Sequence, residues 1–350
     1  MQRFRFMFAV GISMFALIGS AQAQPTPNSG PYKVLKTAKV GGAGGFDYVY
    51  ADSDGRRLYI PRGGSPGRVA VYNLDTLAAA GEVPNASARG AAVDPKSGHG
   101  FASSKPVVMW DTKTLATIKT IEVEGGPDGI LFDPFNQRVY VFSHRAPNAT
   151  VINSVDGSVV GTIDLGGAPE QAVTDGKGHI YVDIEDKANV AVIDAKTMKV
   201  TAHYDLSEKG GTPAGLAFDD KNRILFVACR TPAPGVMVMV NADSGKIVAS
   251  LPLAGASDGA VFNPVTMEAF SSAGNGTLTV IKENSPASFV VEQIVQTMPS
   301  AKTLTLDSKT NHVLLIGAEY APPATPAPAG ARGGRGQLIP DSFSILVVGK

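Results

Sequence analysis

The sequence repeats itself at intervals of about forty residues, and this period constrains the fold more than any other feature. An acidic or amide residue closes an apolar stretch seven times, at Asp52, Asp94, Asp133, Asp175, Asp219, Asn263 and Asp307. The successive spacings between these positions are 42, 39, 42, 44, 44 and 44 residues. A period of this size indicates an array of similar units, each of which buries its faces against its neighbours. Seven such positions predict seven repeating units.

Each unit reads as four short β-strands joined by turns, which the segment 125–166 shows in full. Its four runs, ILF, RVYVFS, ATVINS and SVVGTIDL, are rich in the β-branched and aromatic residues that strands favour. The turns between them contain Asp-Pro, Asn and the pair Asp156-Gly157, which favour chain reversal. Four strands repeated seven times around an axis predict an all-β fold, a seven-bladed β-propeller.

The two ends of the chain are predicted to meet in the last blade. Residues 32–40 alternate like a strand but have no partner of their own, and the last unit, which ends with residues 342–350, is one strand short of four. We therefore expect the N-terminal strand to become the outer strand of blade seven, which leaves no open sheet edge. Residues 32–350 would then form a single propeller domain.

The first residues have the features of a signal peptide. Arg3 and Arg5 precede an apolar run, and Ala21-Gln22-Ala23 forms a small-x-small cleavage site. We expect residues 1–23 to be removed after Ala23 and residues 24–31 to be a linker. The apolar run is too short to span a membrane well, so no transmembrane anchor is expected. The mature protein would be periplasmic or secreted.

One segment interrupts the repeat. Residues 321–336 are rich in Pro, Ala, Gly and Arg, which bury little apolar surface, so we expect a flexible, solvated loop. A lid that contacts a ligand is the alternative.

Composition excludes several functions. Lys and Arg number 31 and so do Asp and Glu, so the formal charge of zero gives no reason to expect nucleic acid as a partner. The only cysteine is Cys229, so no intrachain disulfide can form, and the absence of Cys-x-x-Cys-His excludes covalent haem. The five histidines have no metal-ligand spacing. We expect a monomer.

The repeats resemble those of the YVTN-repeat seven-bladed β-propellers, a family of exported bacterial proteins. The similarity lies in GGPDGILFDPFNQRVYV, TVINSVDG, NVAVIDAKT and TPAGLAFDDKNRILFV, and it covers nearly the whole mature chain. The literal tetrapeptide YVTN is absent, and YVFS, YVDI, FVAC and YIPR stand in its place. The resemblance implies the propeller architecture and a binding role, because the family carries no shared catalytic residues.

A ring of charged residues is predicted at the mouth of the central channel, at the position that follows the start of each blade. Six of the seven positions are charged, namely Asp47, Arg89, Asp128, Glu170, Asp258 and Lys302, and the seventh is Ala214. The charges could pair internally, hold a divalent cation such as calcium through carboxylates, or bind a polar ligand such as a sugar. These alternatives stay open at this point.

A second charged set follows the second strand of several blades, at one rim. It contains Arg62, Lys105, His144, Arg145, Asp183, Glu185, Asp186, Arg230 and Glu319. The similar segments SHRAPNA and ACRTPAPG suggest that Arg145 and Arg230 point into one groove, where two arginines would suit a carboxylate or phosphate. Exposed loop charge is the alternative.

Three functions are consistent with these residues. The first is a non-enzymatic binding module for a small molecule, protein or peptide, which uses the channel mouth and the rim and needs no cofactor. The second is a metal-assisted hydrolase of the sugar-lactonase type that uses the acidic ring. The third, a non-covalent haem or quinone redox domain, requires a histidine near the channel, and no predicted strand supplies one.

Overall fold

A computed structural model describes residues 30–322 and 336–350. These residues form seven four-stranded antiparallel sheets, which confirms the predicted seven-bladed β-propeller. The predicted signal peptide, most of the linker and most of the segment 321–336 lie outside the described residues.

The first four blades follow one another along the chain. Blade one contains β2 (Tyr50–Asp52), β3 (Arg57–Arg62), β4 (Arg68–Asn73) and β5 (Ala79–Pro84). Blade two contains β6 (Ala91–Asp94), β7 (His99–Ala102), β8 (Val107–Asp111) and β9 (Thr117–Ile121). Blade three contains β10 (Pro127–Asp133), β11 (Arg138–Ser143), β12 (Asn148–Asn153) and β13 (Val159–Asp164). Blade four contains β14 (Pro169–Thr174), β15 (His179–Ile184), β16 (Asn189–Asp194) and β17 (Lys199–Asp205).

The last three blades complete the circle. Blade five contains β18 (Gly211–Asp219), β19 (Ile224–Thr231), β20 (Val236–Asn241) and β21 (Ile247–Pro252). Blade six contains β22 (Ser257–Asn263), β23 (Glu268–Ala273), β24 (Thr277–Ser285) and β25 (Ser288–Gln296). Blade seven contains β26 (Thr303–Asp307), β27 (His312–Gly317), β28 (Ser344–Gly349) and β1 (Lys33–Lys39). A 3-10 turn, Glu185–Lys187, follows β15.

The hydrophobic core lies between the blades. The innermost strand of each blade contacts the innermost strand of the next, and β26 contacts β2, so the ring is closed. One apolar cluster fills each of the seven interfaces. Trp110 is fully buried between blades one and two, with its ring 5.7 Å from that of Tyr59. Gly100 allows this packing, because a Cβ there would lie 2.2 Å from the indole. Trp110 therefore belongs to the core.

The predicted closure of the propeller is confirmed. β1 pairs antiparallel with β28 and forms the outer strand of blade seven, with Lys33 opposite Gly349 and Lys39 opposite Ser344. The chain is also fastened to blade six just before β1, because the Gln293 side chain exchanges two hydrogen bonds with the backbone of Tyr32, at 2.9 and 2.7 Å.

The repeated turn acids connect neighbouring blades as well as shaping turns. At the seam between blades seven and one, Asp307 receives hydrogen bonds from Arg56 Nη1 and Nη2 at 2.8 and 2.9 Å. Arg56 also meets Asp75 at 2.6 Å. Burial opposes the ionisation of Asp307, but the hydrogen bonds from Arg56 and Thr310 outweigh it and lower the pKa of Asp307 to about 2. Asp307 therefore stays ionised, and its negative charge is balanced by Arg56.

Candidate functional site

The start of each innermost strand brings one side chain to the mouth of the channel. Asp128, Glu170 and Asp258 are the second residues of β10, β14 and β22. Asp47, Arg89 and Lys302 precede β2, β6 and β26. All these strands begin at the same face of the ring, so their side chains gather around one entrance.

Two of the predicted ring acids are each held by two cations. Lys302 Nζ lies 2.9 Å from an oxygen of Asp47 and 2.9 Å from an oxygen of Asp258. Arg89 Nη1 is 3.1 Å from the other oxygen of Asp47, and Arg230 pairs with the other oxygen of Asp258. Burial raises the pKa of Asp258, but Lys302 and Arg230 more than offset this effect and lower it below its usual value. This half of the mouth consists of internal ion pairs.

The other half of the mouth is rich in acid, and we call Asp128, His144, Glu170 and Glu185 the acid-rich sector. His144 Nδ1 lies 3.8 Å from Glu170 Oε1, and His144 Nε2 lies 3.6 Å from Glu185 Oε2. The nearest cation to Asp128 is Arg89, whose Nε is 3.8 Å away and whose side chain is 58% exposed. Glu185 also pairs with Arg230. The sector has fewer cations than carboxylates.

Electrostatics in the acid-rich sector favour neutral carboxyl groups. Burial raises the pKa of Asp128 to about 6, although Arg89 lowers it in part. Burial and the nearby Glu185 raise the pKa of Glu170 well above its usual value. The Tyr48 hydroxyl donates a hydrogen bond to Glu170 Oε2 at 3.0 Å. The pKa of Tyr48 is itself raised by burial and by Glu170, so the phenol stays a donor.

A further acid, Asp183, lies beside this sector inside the fold. It is on β15 and is fully buried, and neither of its oxygens has a hydrogen-bond partner among the described residues. Burial and the charge of Glu170 raise its pKa well above the usual range. Asp183 therefore adds a carboxyl group that is held neutral next to the mouth.

The mouth opens into an apolar channel. A cavity of about 220 Å³ runs between the innermost strands, lined by Val49, Ile130, Phe132, Val261 and Leu304 among others. Tyr48 and Glu170 lie at its charged end. The Gln171 amide crosses from blade four, donates to the carbonyl of Ala260 at 2.9 Å and accepts from the backbone NH of Leu216 at 3.1 Å. A ligand at the mouth would thus meet charge first and apolar surface behind it.

The rim residues do not form one group. Arg230 lies in the mouth network, whereas Arg145 is exposed and forms no ion pair within residues 30–322 and 336–350. The alternative of exposed loop charge is wrong for Arg62, which is only 1% exposed. Its guanidinium group stacks 3.7 Å over the ring of Phe343 and donates hydrogen bonds to the backbone carbonyls of Gly42 and Gly44. Burial lowers the pKa of Arg62 to about 10.

Sequence reasoning missed three features of the site. Tyr48 follows the ring residue Asp47 directly, but nothing in the repeat indicates that its hydroxyl reaches Glu170 in blade four. The repeat likewise gives no indication that the Gln171 side chain forms hydrogen bonds with Ala260 and Leu216 of two other blades. The sequence predicts His144 at the rim, whereas its side chain reaches the mouth from the loop after β11. The expectation that no strand supplies a histidine to the channel is compatible with this, because His144 comes from a loop.

Comparisons with known structures show the fold. The chain is similar to the structure of U3-55K, with a TM-score of 0.71 and 12% identity over 92% of this chain and 99% of that one. It is similar to the RRP9 WD40 repeats, with a TM-score of 0.70 and 12% identity over 93% and 100%. A chain of Kuenenia stuttgartiensis hydrazine synthase matches with a TM-score of 0.65 and 16% identity over 77% and 91%. Neither protein-family models nor curated proteins give a match.

These similarities establish a WD40-like seven-bladed β-propeller and no particular activity. The similar structures include a chain of an enzyme and propellers from other proteins, so the fold is compatible with several functions. Within the described part of the chain, no helix has the length and apolar character needed to cross a membrane.

Proposed function

We propose that the protein is an exported β-propeller of the YVTN-repeat type that binds a cationic ligand at its channel mouth, without chemical turnover. The observation that carries this proposal is the charge imbalance at the mouth. The acids there are Asp47, Asp128, Glu170, Glu185 and Asp258, and the cations are Arg89, Arg230 and Lys302. Five carboxyl groups face three permanent cations. A cation from solution would supply the missing charge.

The position of the imbalance supports a binding role. The paired acids Asp47 and Asp258 lie on one side of the mouth. The excess of carboxyl groups over cations lies in the acid-rich sector, beside the apolar channel. Asp128, Glu170 and His144 are only 14, 15 and 35% exposed, so a ligand there would be partly withdrawn from water. Ligand sites in proteins combine such a concave apolar wall with a few converging polar groups.

The export part of the proposal rests on residues 1–23, whose Arg-containing start, apolar run and small-x-small site are typical of a signal peptide. N-terminal sequencing of the protein from a periplasmic fraction tests it. A mature chain that begins at Gln24 is expected. A cytoplasmic protein that retains residues 1–23 would contradict export.

Binding is tested by thermal unfolding of the purified mature protein against a panel of matched compounds. The panel contains divalent metal ions, organic ammonium ions, neutral sugars, and small carboxylates and phosphates. We expect only cations to raise the melting temperature, and Glu170→Gln to weaken their effect. Glu208→Gln, at a side chain that is 75% exposed on a surface turn, serves as the matched control. Stabilisation by anions alone would contradict the proposal.

A metal-assisted hydrolase of the sugar-lactonase type is the second candidate. One observation favours it: Asp128, His144 and Glu170 offer donor atoms that lie within 4.8 Å of one another. A metal held there could polarise a lactone carbonyl or activate water. Lactone hydrolysis that requires added metal and is lost in Asp128→Asn would establish this function. Metal binding without turnover of any lactone would leave the binding protein.

A further inference from the structure

Three side chains of different blades and loops converge in the acid-rich sector with the chemistry of metal ligands. Asp128 comes from β10, His144 from the loop after β11 and Glu170 from β14. One donor atom from each lies within 4.8 Å of the other two. Ligands of one metal ion with bonds of about 2.0–2.2 Å lie about 3 Å apart, so a small inward movement of these side chains would form a site. The His144 side chain is 35% exposed and comes from a loop, not from a strand.

Two polar atoms of this cluster make no hydrogen bond within the described part of the chain. Asp128 Oδ1 and His144 Nδ1 are shielded from solvent and have no hydrogen-bond partner among the described residues. Buried polar atoms are nearly always satisfied, and an exception calls for an explanation such as an ion. Glu170 is different, because its Oε2 accepts from Tyr48 and its Oε1 faces His144. Tyr48 thus orients the third carboxylate and leaves one of its oxygens toward the cluster.

The surroundings of His144 also match those of a metal-bound histidine. Its Nδ1 faces Glu170, and its Nε2 lies 3.6 Å from Glu185 Oε2. A metal-ligating histidine usually donates its second ring NH to a carboxylate, which fixes the tautomer and strengthens the ligand. Glu185 is itself held by Arg230. The carboxylate behind the imidazole is therefore fixed from the other side.

The remaining mouth acids are poor candidates for the same ion. Asp47 is already paired with Lys302 and Arg89, and Asp258 is paired with Lys302 and Arg230. A metal at either acid would have to displace a cation. The predicted ring therefore has one half in which the acids are already paired with cations and another half in which the side chains can coordinate a metal ion.

We propose that Asp128, His144 and Glu170 bind one divalent transition metal ion, with Glu185 as a positioning residue. The donor set of one imidazole and two carboxylates suits Zn²⁺, Mn²⁺ or Fe²⁺, whereas Ca²⁺ prefers six to eight oxygen ligands. Three protein ligands leave further coordination positions for water or a second molecule. This inference rests on the proposed cation-binding function and specifies the ligand.

The test uses the mature full-length protein after treatment with a chelator and titrates it with Zn²⁺ and, separately, with Ca²⁺ by calorimetry. We expect one equivalent of Zn²⁺ to bind, and Ca²⁺ to bind more weakly. His144→Gln and Asp128→Asn should remove stoichiometric binding. Glu185→Gln should weaken it by about 10- to 100-fold without abolishing it. His203→Gln, a histidine on the outer strand β17, is the control and should bind as the wild type does.

Nitrogen NMR of the five imidazoles gives a readout that a purely structural role would not change. Addition of Zn²⁺ should shift the NMR signal of His144 Nδ1, which is assigned by its absence in His144→Gln. The signals of His203 should stay unchanged. Circular dichroism checks that each variant is folded. No stoichiometric Zn²⁺ binding, or binding that survives in His144→Gln, would overturn the site. If Zn²⁺ does not bind but an organic ammonium ion stabilises the protein, the proposed metal site is wrong and the proposed cation-binding function still holds.

Discussion

The seam between blades seven and one and the acid-rich sector of the channel mouth both contain withdrawn carboxyl groups, yet their electrostatics are opposite. Asp307 at the seam is met by the two guanidinium nitrogens of Arg56, and its pKa falls to about 2. Asp128 at the mouth is almost as withdrawn, but its nearest cation is 3.8 Å away and largely exposed, and its pKa rises to about 6. Burial disfavours charge in both places.

The difference shows which carboxyl groups serve the fold. A buried charge stabilises a protein only when its partners outweigh its desolvation. Arg56 does this for Asp307, whereas no cation does so for Asp128 and Glu170 in the described structure. Carboxyl groups that lower stability in the free protein are typical of sites that receive a ligand. The predictions that follow test this contrast, each with metal-free protein.

The largest effect is expected at the seam. Asp307→Asn keeps the turn geometry, since Asn263 occupies the same position in blade six, but it removes the charge that Arg56 neutralises. The low pKa implies a loss of about 2 kcal/mol in the free energy of unfolding at pH 7. This contribution exists above pH 4 and is lost as the pH falls toward 2, because the native pKa lies below the unfolded one. Denaturant unfolding at several pH values measures it.

Asp75→Asn is the matched control for the seam. Asp75 meets the same Arg56 but is 57% exposed, so its loss should change the stability by less than about 1 kcal/mol. Equal effects of the two variants would show that burial does not distinguish the two acids.

The opposite sign is expected at the mouth. Asp128→Asn should stabilise the protein by about 1–2 kcal/mol at pH 8, because the wild type must ionise a group with a raised pKa. The native state binds this proton more tightly than the unfolded state, so wild-type stability declines as the pH rises from about 4 through 6. The variant should lack this decline and match the wild type near pH 4. A destabilised variant at pH 8 would break the contrast.

A smaller loss is expected for an acid in the paired half of the mouth. Asp258→Asn leaves Lys302 and Arg230 with one partner fewer, and we expect a destabilisation of about 1 kcal/mol at pH 7. Comparison of its thermal unfolding with that of Asp128→Asn tests the division of the mouth into two halves. The same sign for both variants would argue against this division.

The smallest effect belongs to an exposed cation. Arg89 is 58% exposed and pairs with Asp47 and, at longer range, Asp128, so Arg89→Gln should change the stability by only about 0.5 kcal/mol. Added salt should reduce the difference further. A change of several kcal/mol in thermal unfolding would mean that Arg89 already neutralises the mouth.

The fold could be predicted from the sequence because the repeat contains it. The seven turn acids mark the blades, and the unpartnered residues 32–40 indicate the closure that β1 and β28 make. Each of these signals is local or periodic. The residues of the mouth followed from the same register, because the start of every blade places one side chain there.

The partners within the site could not be predicted in this way. Whether Asp258 or Asp128 obtains two cations depends on distances between blades, and the sequence carries no signal for them. The contact from Tyr48 to Glu170 spans 122 residues across the channel. Arg62 looked like a rim charge because its position ends a strand, but Phe343 and glycine carbonyls of the closure bury it.

The most direct test of this account is the measurement of carboxyl pKa values by ¹³C NMR in metal-free protein labelled at Asp and Glu. The signals of Asp128, Glu170, Asp258 and Asp307 can be assigned with the amide variants. We predict that Asp128 titrates near pH 6, that Glu170 is also raised, and that Asp258 and Asp307 titrate below their usual range. Ordinary values near 4 for Asp128 and Glu170 would contradict the claim that no cation offsets the burial of these two carboxyl groups.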